Sequence, residues 1–274
     1  VLMAWTWLIG LTYLATHSAW YVTLAAMVAM GPIHVRFAIL MHEAAHRLLF
    51  RSKRVNDVVG TWLIAYPALV PITLYRRSHF AHHRDEFGPD EPDLAFYDGY
   101  PCHPRDLRRR LWRDALGISG WKNFKVLLVA LTKSASRPLA SRILGVQVVL
   151  AIALGVLTSQ WWAYFVMWWL PWMTQWRVLN RLRAIAEHGG MHRSPDRRES
   201  THSVRQHALA RFLLVPYNIG WHLAHHVDAG VPFHHLPALH RALHEAGYVD
   251  ESFEYASYPA IWRALAAPAA APTI

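Results

Sequence analysis

Four long apolar segments limit what this chain can fold into more than any other feature of its sequence. They occupy residues 2–16, 20–41, 143–157 and 161–179. A helix that crosses the hydrocarbon core of a bilayer needs about 20 mostly apolar residues, and these segments approach or reach that length. Many of the 14 tryptophans lie near the ends of the segments, as aromatic side chains do at membrane–water interfaces. We therefore expect an all-α integral membrane protein, with four transmembrane helices in two hairpins, rather than a large soluble core.

Basic residues lie just outside the apolar segments, at 51–54, 76–77 and 105–113. Basic loops of multi-pass membrane proteins face the cytoplasm, so we expect these residues on the cytoplasmic side. The formal net charge of the chain is +10, which favours anionic lipid headgroups as neighbours. No aromatic-basic nucleic-acid motif accompanies this charge, and we expect no nucleic-acid partner. The single cysteine, Cys102, excludes an intramolecular disulfide, a cysteine-ligated iron–sulfur cluster and an all-cysteine zinc site. Because the first residue is Val1, we expect that an initiator methionine and some N-terminal sequence precede it; no cleavable signal peptide is recognisable.

The other segments complete a single domain over residues 1–274, in which the polar stretches 76–125 and 184–264 form a cytosolic helical cap. Residues 58–75 are apolar but contain two prolines, and histidine-rich segments flank both ends. If these flanks share one metal centre, residues 58–75 must turn back in the membrane or lie at its interface, where protein groups satisfy a broken backbone. A helix that crosses the bilayer is the alternative. The alanine- and proline-rich tail, residues 265–273, is expected to be disordered.

Histidine spacing carries the strongest functional signal. One HxxxH and two HxxHH motifs lie beside apolar segments, on the side that the basic flanks mark. Residues three or four apart share one face of a helix, so each motif can direct its imidazoles at one point. Imidazole binds iron, zinc, copper or nickel, but one zinc ion needs only three or four ligands. Although each motif alone would be weak evidence, eight histidines together fit two metal ions. These candidate ligands are His42, His46, His79, His82, His83, His222, His225 and His226.

The order of these motifs around two apolar hairpins resembles the membrane fatty acid desaturase superfamily, which includes related hydroxylases and carotenoid ketolases. The strings MHEAAH, RSHFAHH and NIGWHLAHHVDAGVPFHHLPALH carry the resemblance, which covers nearly the whole chain. It implies two iron ions held by the eight histidines and by one more that follows the fourth membrane helix, here His188. Some members have an asparagine four residues earlier, where this chain has Ala184.

Three polar residues near the expected ligands could orient imidazole rings, as carboxylates do around metal sites. Glu43 and Glu187 each adjoin a ligand, and Asn218 precedes His222 by four residues. For the two glutamates, a surface ion pair with an arginine is an equally good interpretation. The remaining histidines are interpreted as surface, capping or packing residues, among them His34, His202, His240 and His244.

The resemblance implies dioxygen-dependent removal of one hydrogen from each of two neighbouring carbons of a lipid acyl chain, which leaves a double bond. The short HxxxH resembles that of acyl-lipid desaturases, but carotenoid ketolases share it. Hydroxylation or ketolation of a lipid or carotenoid therefore stays open, as does a non-catalytic lipid-binding protein. The chain has no cysteine set for an iron–sulfur cluster and no HPGG haem motif. Electrons are expected from an external ferredoxin- or cytochrome b5-type donor at the cytoplasmic face, where the active site should lie.

Overall fold

Nearly all regular structure in this protein is helical, as a computed structural model describes it for residues 1–267. One parallel pair of two-residue strands is the only sheet among these residues. This agrees with the all-α prediction. The tail predicted to be disordered starts at residue 265, but Leu265 is buried and ends the last helix, so that start is wrong. The rest of the tail, from position 268, lies outside the described residues. In chain order the elements are α1 Leu2–Thr16, α2 Trp20–His46, α3 Lys53–Val59, α4 Ile72–Arg84, α5 Leu94–Tyr97, α6 Pro104–Ala115, α7 Ile118–Thr132, α8 Arg137–Thr158, α9 Leu170–Met173, α10 Gln175–His188, α11 Arg197–Ser200, β1 Ser203–Val204, α12 Ala208–Leu213, α13 His222–Val227, α14 Leu236–Glu245, β2 Glu254–Tyr255 and α15 Tyr258–Leu265.

The described chain forms two compact units. Unit 1 consists of Val1–Tyr75 and Arg113–Leu179, and it contains all four apolar segments. Unit 2 consists of Arg76–Trp112 and the described residues from Asn180 onward. Unit 2 thus takes up most of the predicted cap, but residues 113–125 of that cap belong to unit 1.

Helices α1, α2 and α8 provide the apolar part of unit 1. Both α2 and α8 are long and apolar enough to cross a membrane, whereas α1 is apolar but has 15 residues. Only 33% of the most apolar stretch of α8 is buried inside the protein, and Val148, Val149, Ile152 and Val156 remain exposed. A helix that is apolar on all sides and left uncovered indicates a non-aqueous neighbour. The two long helices therefore support association with a membrane.

Residues 58–75 do not form one continuous helix. Helix α3 leads into a π-helical turn, Gly60–Ala65, and the chain then turns over residues 66–71 before α4 begins. Leu69 adopts the left-handed backbone conformation in this turn, with φ of 61°. The two prolines are compatible with a turn but would remove hydrogen bonds from a helix. Whether this broken segment enters the membrane and returns stays a prediction.

Side chains of unit 1 satisfy the backbone carbonyls that this turn leaves without helical partners. An unpartnered buried carbonyl costs about 1–3 kcal/mol, so such partners are needed in an apolar setting. A segment that enters the membrane and turns back, as predicted for residues 58–75, also needs protein groups that donate hydrogen bonds to its carbonyls where the helix is broken. The donors are Gln147 Nε2 to Tyr66 O (2.6 Å), Trp168 Nε1 to Pro67 O (3.0 Å) and Trp172 Nε1 to Ala68 O (2.9 Å).

The fourth apolar segment is also less regular than its composition predicts. A π-helical turn, Phe165–Trp169, leads into α9, and Thr174 then interrupts the helix with φ of −118° and ψ of −80°. Helix α10 continues beyond the predicted end at residue 179 and ends at His188. Helix α7, whose first half the sequence places in the polar cap, packs closely beside α9. A Cβ atom added to Gly120 of α7 would lie 2.7 Å from the Cα of Met173.

A buried asparagine fixes the end of α2, which carries the first histidine motif. Asn56 is fully buried and its Nδ2 donates to the carbonyl of Ala44 (2.9 Å), while the backbone N–H of Leu49 donates to its Oδ1 (3.1 Å). Gly60 packs on the same turn, since a Cβ atom there would lie 2.7 Å from the Cβ of Ala44. The position of the last turn of α2 is therefore determined by local contacts within unit 1.

Polar contacts rather than long helices hold unit 2 together. Strands β1 and β2 pair in parallel, with Ser203 opposite Glu254. Arg197 Nη1 contacts Glu86 Oε1 at 2.5 Å, and its Nη2 donates to the carbonyl of His83 (2.8 Å). These contacts connect α11 to the end of α4, which carries the second histidine motif.

Candidate metal centre

The first histidine motif occupies the last turns of α2 in unit 1. The ring centroids of His42 and His46 are 4.9 Å apart, as expected for residues on successive turns of one helix face. His42 and Glu43 are both only 2% exposed. Buried polar groups of this kind are stable only when they are hydrogen-bonded or bound to a metal. A surface position for Glu43 is therefore wrong.

Within unit 2, His79, His83 and His225 form a first group of converging imidazoles. His83 Nε2 lies 3.0 Å from His79 Nε2 and 3.1 Å from His225 Nε2. The residues come from the second and third motifs, which are far apart in sequence. The spacing within each motif predicts the first contact, and only the tertiary fold creates the second.

His82, His188, His222 and His226 form a second group beside the first. His222 Nε2 lies 3.1 Å from the Nε2 atoms of both His188 and His226. A ligand atom of His82 lies within 4.8 Å of those of His188 and His226. His188, which follows the last apolar segment by under ten residues, thus lies among residues of both HxxHH motifs.

The distances between these nitrogens match two ligands of one metal ion. Two nitrogen ligands at about 2.1 Å from an ion, and at right angles to each other, lie about 3.0 Å apart. Two bare imidazole nitrogens at this distance repel each other through their lone pairs unless a cation or a proton lies between them. The donor set therefore fits a transition metal in each group, and iron is among the metals that imidazole suits.

The other ring nitrogen of several members of the second group is held by an acceptor. His188 Nδ1 donates to the carbonyl of Ser200 (2.9 Å), His82 Nδ1 to both carboxylate oxygens of Glu91 (3.1 Å), and His226 Nδ1 to Glu86 Oε1 (2.5 Å). Carbonyl and carboxylate groups accept, so the proton of a neutral ring sits on Nδ1 and Nε2 keeps its lone pair. Acceptors of this kind orient the imidazole ligands of metal sites and increase their basicity.

Burial keeps most of the second group neutral. It lowers the pKa of His188, His222 and His226 well below the ordinary value. Neutral imidazole is the form that binds metal. Burial also opposes protonation of His82, but the hydrogen bond and the negative charge of Glu91 outweigh it and raise the pKa of that ring.

Five of the seven ligand candidates of unit 2 lie in the last turn of a helix. His82 and His83 are in the last turn of α4, His188 ends α10, and His225 and His226 are in the last turn of α13. A helix carries partial negative charge at this end, which stabilises cations nearby. Helix α10 ends here because Gly190 adopts the left-handed conformation (φ 75°) that favours glycine after a helix. Three helix ends thus favour cation binding at one place.

The polar residues expected around the ligands differ in their contacts. Glu187 forms a buried ion pair with Arg183 (2.9 Å), which is the alternative interpretation in a buried setting. Its Oε1 lies 3.7 Å from His222 Nδ1, which is too far for a hydrogen bond, so its orienting role stays a prediction. The amide of Asn218 makes no hydrogen bond with another described residue, and its orienting role stays a prediction. The sequence does not identify Glu86 and Glu91, although both lie in the acidic stretch directly after the second motif.

Two histidines interpreted as surface or capping residues are buried. His202 is 8% exposed and its Nε2 lies 2.7 Å from the carbonyl of Gly189. His240 is 7% exposed, stacks on the indole of Trp221 at 3.9 Å and contacts Glu254 at 3.1 Å. Both tie peripheral segments of unit 2 to those that carry ligands. His202 is isolated and gives no periodic signal, and the i, i+4 spacing of His240 and His244 does not by itself separate such contacts from surface positions.

The α-helical chain with long apolar helices and two groups of converging imidazoles defines a class of proteins, the histidine-ligated metalloproteins of membranes. Residues 18–259 match the model of the family described as fatty acid desaturase. Because the match covers most of the chain, the protein belongs to the fatty acid desaturase family. This confirms the resemblance seen in the histidine motifs.

Several curated desaturases are distant relatives. The dihydrorhizobitoxine desaturase of Bradyrhizobium elkanii is 26% identical over 231 residues, which cover 78% of this chain and 66% of the relative. The sn-1 oleoyl-lipid 12-desaturase of Anabaena variabilis is 21% identical over 272 residues, which cover 87% of this chain and 73% of the relative. A fatty acid desaturase of Bacillus subtilis (strain 168) is 32% identical over 73 residues, 27% of this chain and 20% of the relative. The chain thus spans slightly under two thirds of the length of the first of these proteins.

Proposed function

We propose that this protein is a dioxygen-dependent di-iron desaturase that introduces a double bond into a lipid acyl chain. The observation that carries the proposal is the convergence of imidazole Nε2 atoms at 3.0–3.1 Å in two adjacent groups of a desaturase-family chain. A non-catalytic lipid-binding protein has no need for two groups of imidazoles whose Nε2 atoms converge at such distances.

The proposed ligand set consists of nine histidines. The first group in unit 2 would hold one iron and the second group the other, and the HxxxH of α2 supplies two further ligands, on the strength of its spacing and of the family. The two irons would supply the redox chemistry by which dioxygen removes one hydrogen from each of two neighbouring unactivated carbons. The proposed ligands are His42, His46, His79, His82, His83, His188, His222, His225 and His226.

The chain itself orients and shields this centre. Glu86, Glu91 and the carbonyl of Ser200 hold the Nδ1 protons, so the imidazoles present Nε2 in a fixed direction. The second-group rings are at most 4% exposed, which excludes bulk water from their nitrogens. An acyl methylene has no polar handle, so its position must be set by apolar contacts rather than by hydrogen bonds.

The overall reaction requires an external electron donor. Formation of a double bond releases two electrons, whereas reduction of dioxygen to two water molecules consumes four, so a donor supplies the other two. The chain has one cysteine and cannot hold an iron–sulfur cluster of its own. We place the docking of an acidic ferredoxin- or cytochrome b5-type donor on α6, where Arg105, Arg108 and Arg109 are exposed. Opposite charges at such a surface make association sensitive to salt.

We propose the membrane topology that the apolar segments and basic flanks of the sequence predict. Four segments span the membrane in two hairpins, residues 58–75 turn back or lie at the interface, and the active site faces the cytoplasm. Two long apolar helices and the satisfied turn at residues 66–71 support it.

Expression in a host of known lipid composition, followed by mass spectrometry, tests the function. We expect a new lipid that is two hydrogens lighter than a host lipid; a product one oxygen heavier would favour hydroxylation instead. Soluble metabolites are measured too, because the Bradyrhizobium relative is named for dihydrorhizobitoxine rather than for a lipid. His226→Ala should abolish the product, and His207→Ala, at an exposed position, should not. No new product from an iron-loaded protein supplied with a donor would overturn the proposal.

A further inference from the structure

Helix α7 and the turn after it lie in a part of the chain without negative charge. No aspartate or glutamate occurs between Asp114 and Glu187. Lys122, Lys125 and Lys133 lie in or directly after α7, and none of them forms an ion pair with a described residue. Positive charges without internal partners are available to an anionic ligand.

Helix α7 has apolar residues on two opposite faces, although only one of these faces packs against the core of unit 1. Phe124 and Leu127 pack against the core cluster of unit 1 that contains Trp172. On the outer side, Val126 is 69% exposed and Val129 is 43% exposed. An exposed aliphatic strip on a helix that is already packed indicates an additional apolar neighbour.

The lysines and the aliphatic strip form one surface. Lys122, Val126, Val129 and Lys133 are spaced by four, three and four residues, so they follow one face of the helix. A groove of 440 Å³ runs along this face, lined by aliphatic Val126, Val129 and Ala130 with lysine side chains around them. A long lysine side chain can lie along apolar surface while its ammonium group reaches a charged headgroup.

We infer that this groove binds an anionic phospholipid, with an acyl chain on the two valines and the phosphate among the three lysines. The occupant must be both apolar and negatively charged, because the floor is aliphatic and the rim is cationic. Exposed Val148, Val149 and Ile152 of α8, the helix that follows and packs on α7, extend the apolar surface of unit 1. Helices with basic and apolar residues on one side bind at the interface of anionic membranes in this way. This site lies in unit 1, and its occupancy does not depend on the desaturase activity.

Native mass spectrometry of the full chain tests the inference. The protein is released from nanodiscs of phosphatidylcholine and phosphatidylglycerol in equal amounts, and retained lipids are counted. Wild type should retain phosphatidylglycerol in preference to phosphatidylcholine. A variant with Lys122→Gln, Lys125→Gln and Lys133→Gln should lose this preference by at least about tenfold, because each lysine near an anionic surface contributes several-fold and the three contributions multiply. The matched control, Arg211→Gln with Arg241→Gln and Arg263→Gln, removes three exposed charges from unit 2 and should behave as wild type.

Two further measurements keep the test decisive. Val126→Ser with Val129→Ser leaves all charges in place and should lower retention of phosphatidylglycerol, which a site for the phosphate group alone would not do. The preference of the wild-type protein for phosphatidylglycerol should fall as the salt concentration rises. This measurement needs no variant and therefore does not depend on whether a variant folds. Equal retention of both lipids by wild type would overturn the inference. So would displacement of the lipid by millimolar inorganic phosphate, or an unchanged preference in a folded lysine variant.

Discussion

Glu86 connects three segments of unit 2 beside the candidate ligands. Its carboxylate accepts from His226 Nδ1 and Arg197 on one oxygen and from the hydroxyl of Thr201 on the other. Burial raises its pKa, while Arg197 and the hydroxyl groups oppose that rise. The Glu86 side chain thus fixes the proton of the His226 imidazole. It also fixes the position of the segment after His188 that contains Arg197 and Thr201.

We expect Glu86→Gln to weaken metal binding by about tenfold to a hundredfold, as for other groups that orient ligand imidazoles. The amide can still accept a hydrogen bond, but it lacks the charge that increases the basicity of His226. Iron per chain after competition with a chelator measures the effect. Glu245→Gln, at an exposed position of α14, is the control and should keep the wild-type iron content. Equal retention of iron by both variants would refute the role of Glu86.

His202 should make stability depend on pH without contacting metal. Burial lowers the pKa of His202 from 6.5 to about 4. Below pH 6.5 the unfolded chain therefore takes up a proton that the folded chain rejects, so this stabilisation is present above pH 6.5 and is lost as the pH falls to about 4. The difference corresponds to at most about 3 kcal/mol. His202→Gln should flatten the decline of melting temperature between pH 6.5 and 4, and an unchanged slope would contradict this assignment.

At the residue scale, sequence reasoning is strong where a residue belongs to a pattern. The eight motif histidines repeat at helical spacing, and the resemblance adds His188. Glu86, Glu91 and His202 belong to no repeat, and their roles come from partners distant in sequence, such as the contact between His202 and Gly189 or between Glu86 and Arg197. A single sequence does not contain those pairings.

The helices of unit 1 are interrupted where another helix must come close. Gly120 of α7 packs on the backbone of Met173 in α9, and Gly60 packs on Ala44 of α2. Composition predicts the apolar segments well, because hydrophobic length is local information. It does not predict the turn at residues 66–71 or the break at Thr174, since these depend on donors such as Trp168 and Trp172 from other helices. Helix α7 is not predicted as one helix, since the predicted helical cap ends at residue 125, in the middle of it.

A pair of glycine substitutions tests the close approach of α7. Gly120→Ala places a methyl group against the backbone of Met173, which cannot move aside as a side chain can, so we expect a loss of about 1–3 kcal/mol. Gly145→Ala in α8 meets nothing within 4 Å and should be neutral or stabilising by up to about 1 kcal/mol. Thermal unfolding in detergent compares them. Similar melting temperatures for the two variants would show that the approach is not tight.

For the molecule as a whole, the candidate ligands are distributed unevenly. Seven of the nine proposed histidines belong to unit 2, which has short helices and depends on polar contacts. Unit 1 has long apolar helices and its own aromatic core. A metal that binds only the folded state stabilises that state, so metal should contribute more to the order of unit 2 than to that of unit 1.

Removal of metal should therefore affect the two units differently. After chelation, we expect faster amide hydrogen exchange in the last turns of α4 and α10 and in α13, where bare imidazole nitrogens would face each other at about 3 Å. Exchange in α8 should stay as it was. Hydrogen-exchange mass spectrometry before and after chelation measures both, and restored protection after iron is returned is the control. A uniform increase over both units would contradict the expectation.

The contact between His83 and His225 also has a consequence for the biosynthesis of the protein. These residues are separated by 142 positions, and a ribosome needs roughly 7–28 s to add that many residues. During that time the second motif exists without the third, so a nascent chain has histidines that can bind a stray ion but not the pocket that selects and keeps one. With the proposed ligands, correct metallation can be completed only late in translation or after it. We therefore expect a cell that makes this protein to keep competing metals scarce while the chain is incomplete.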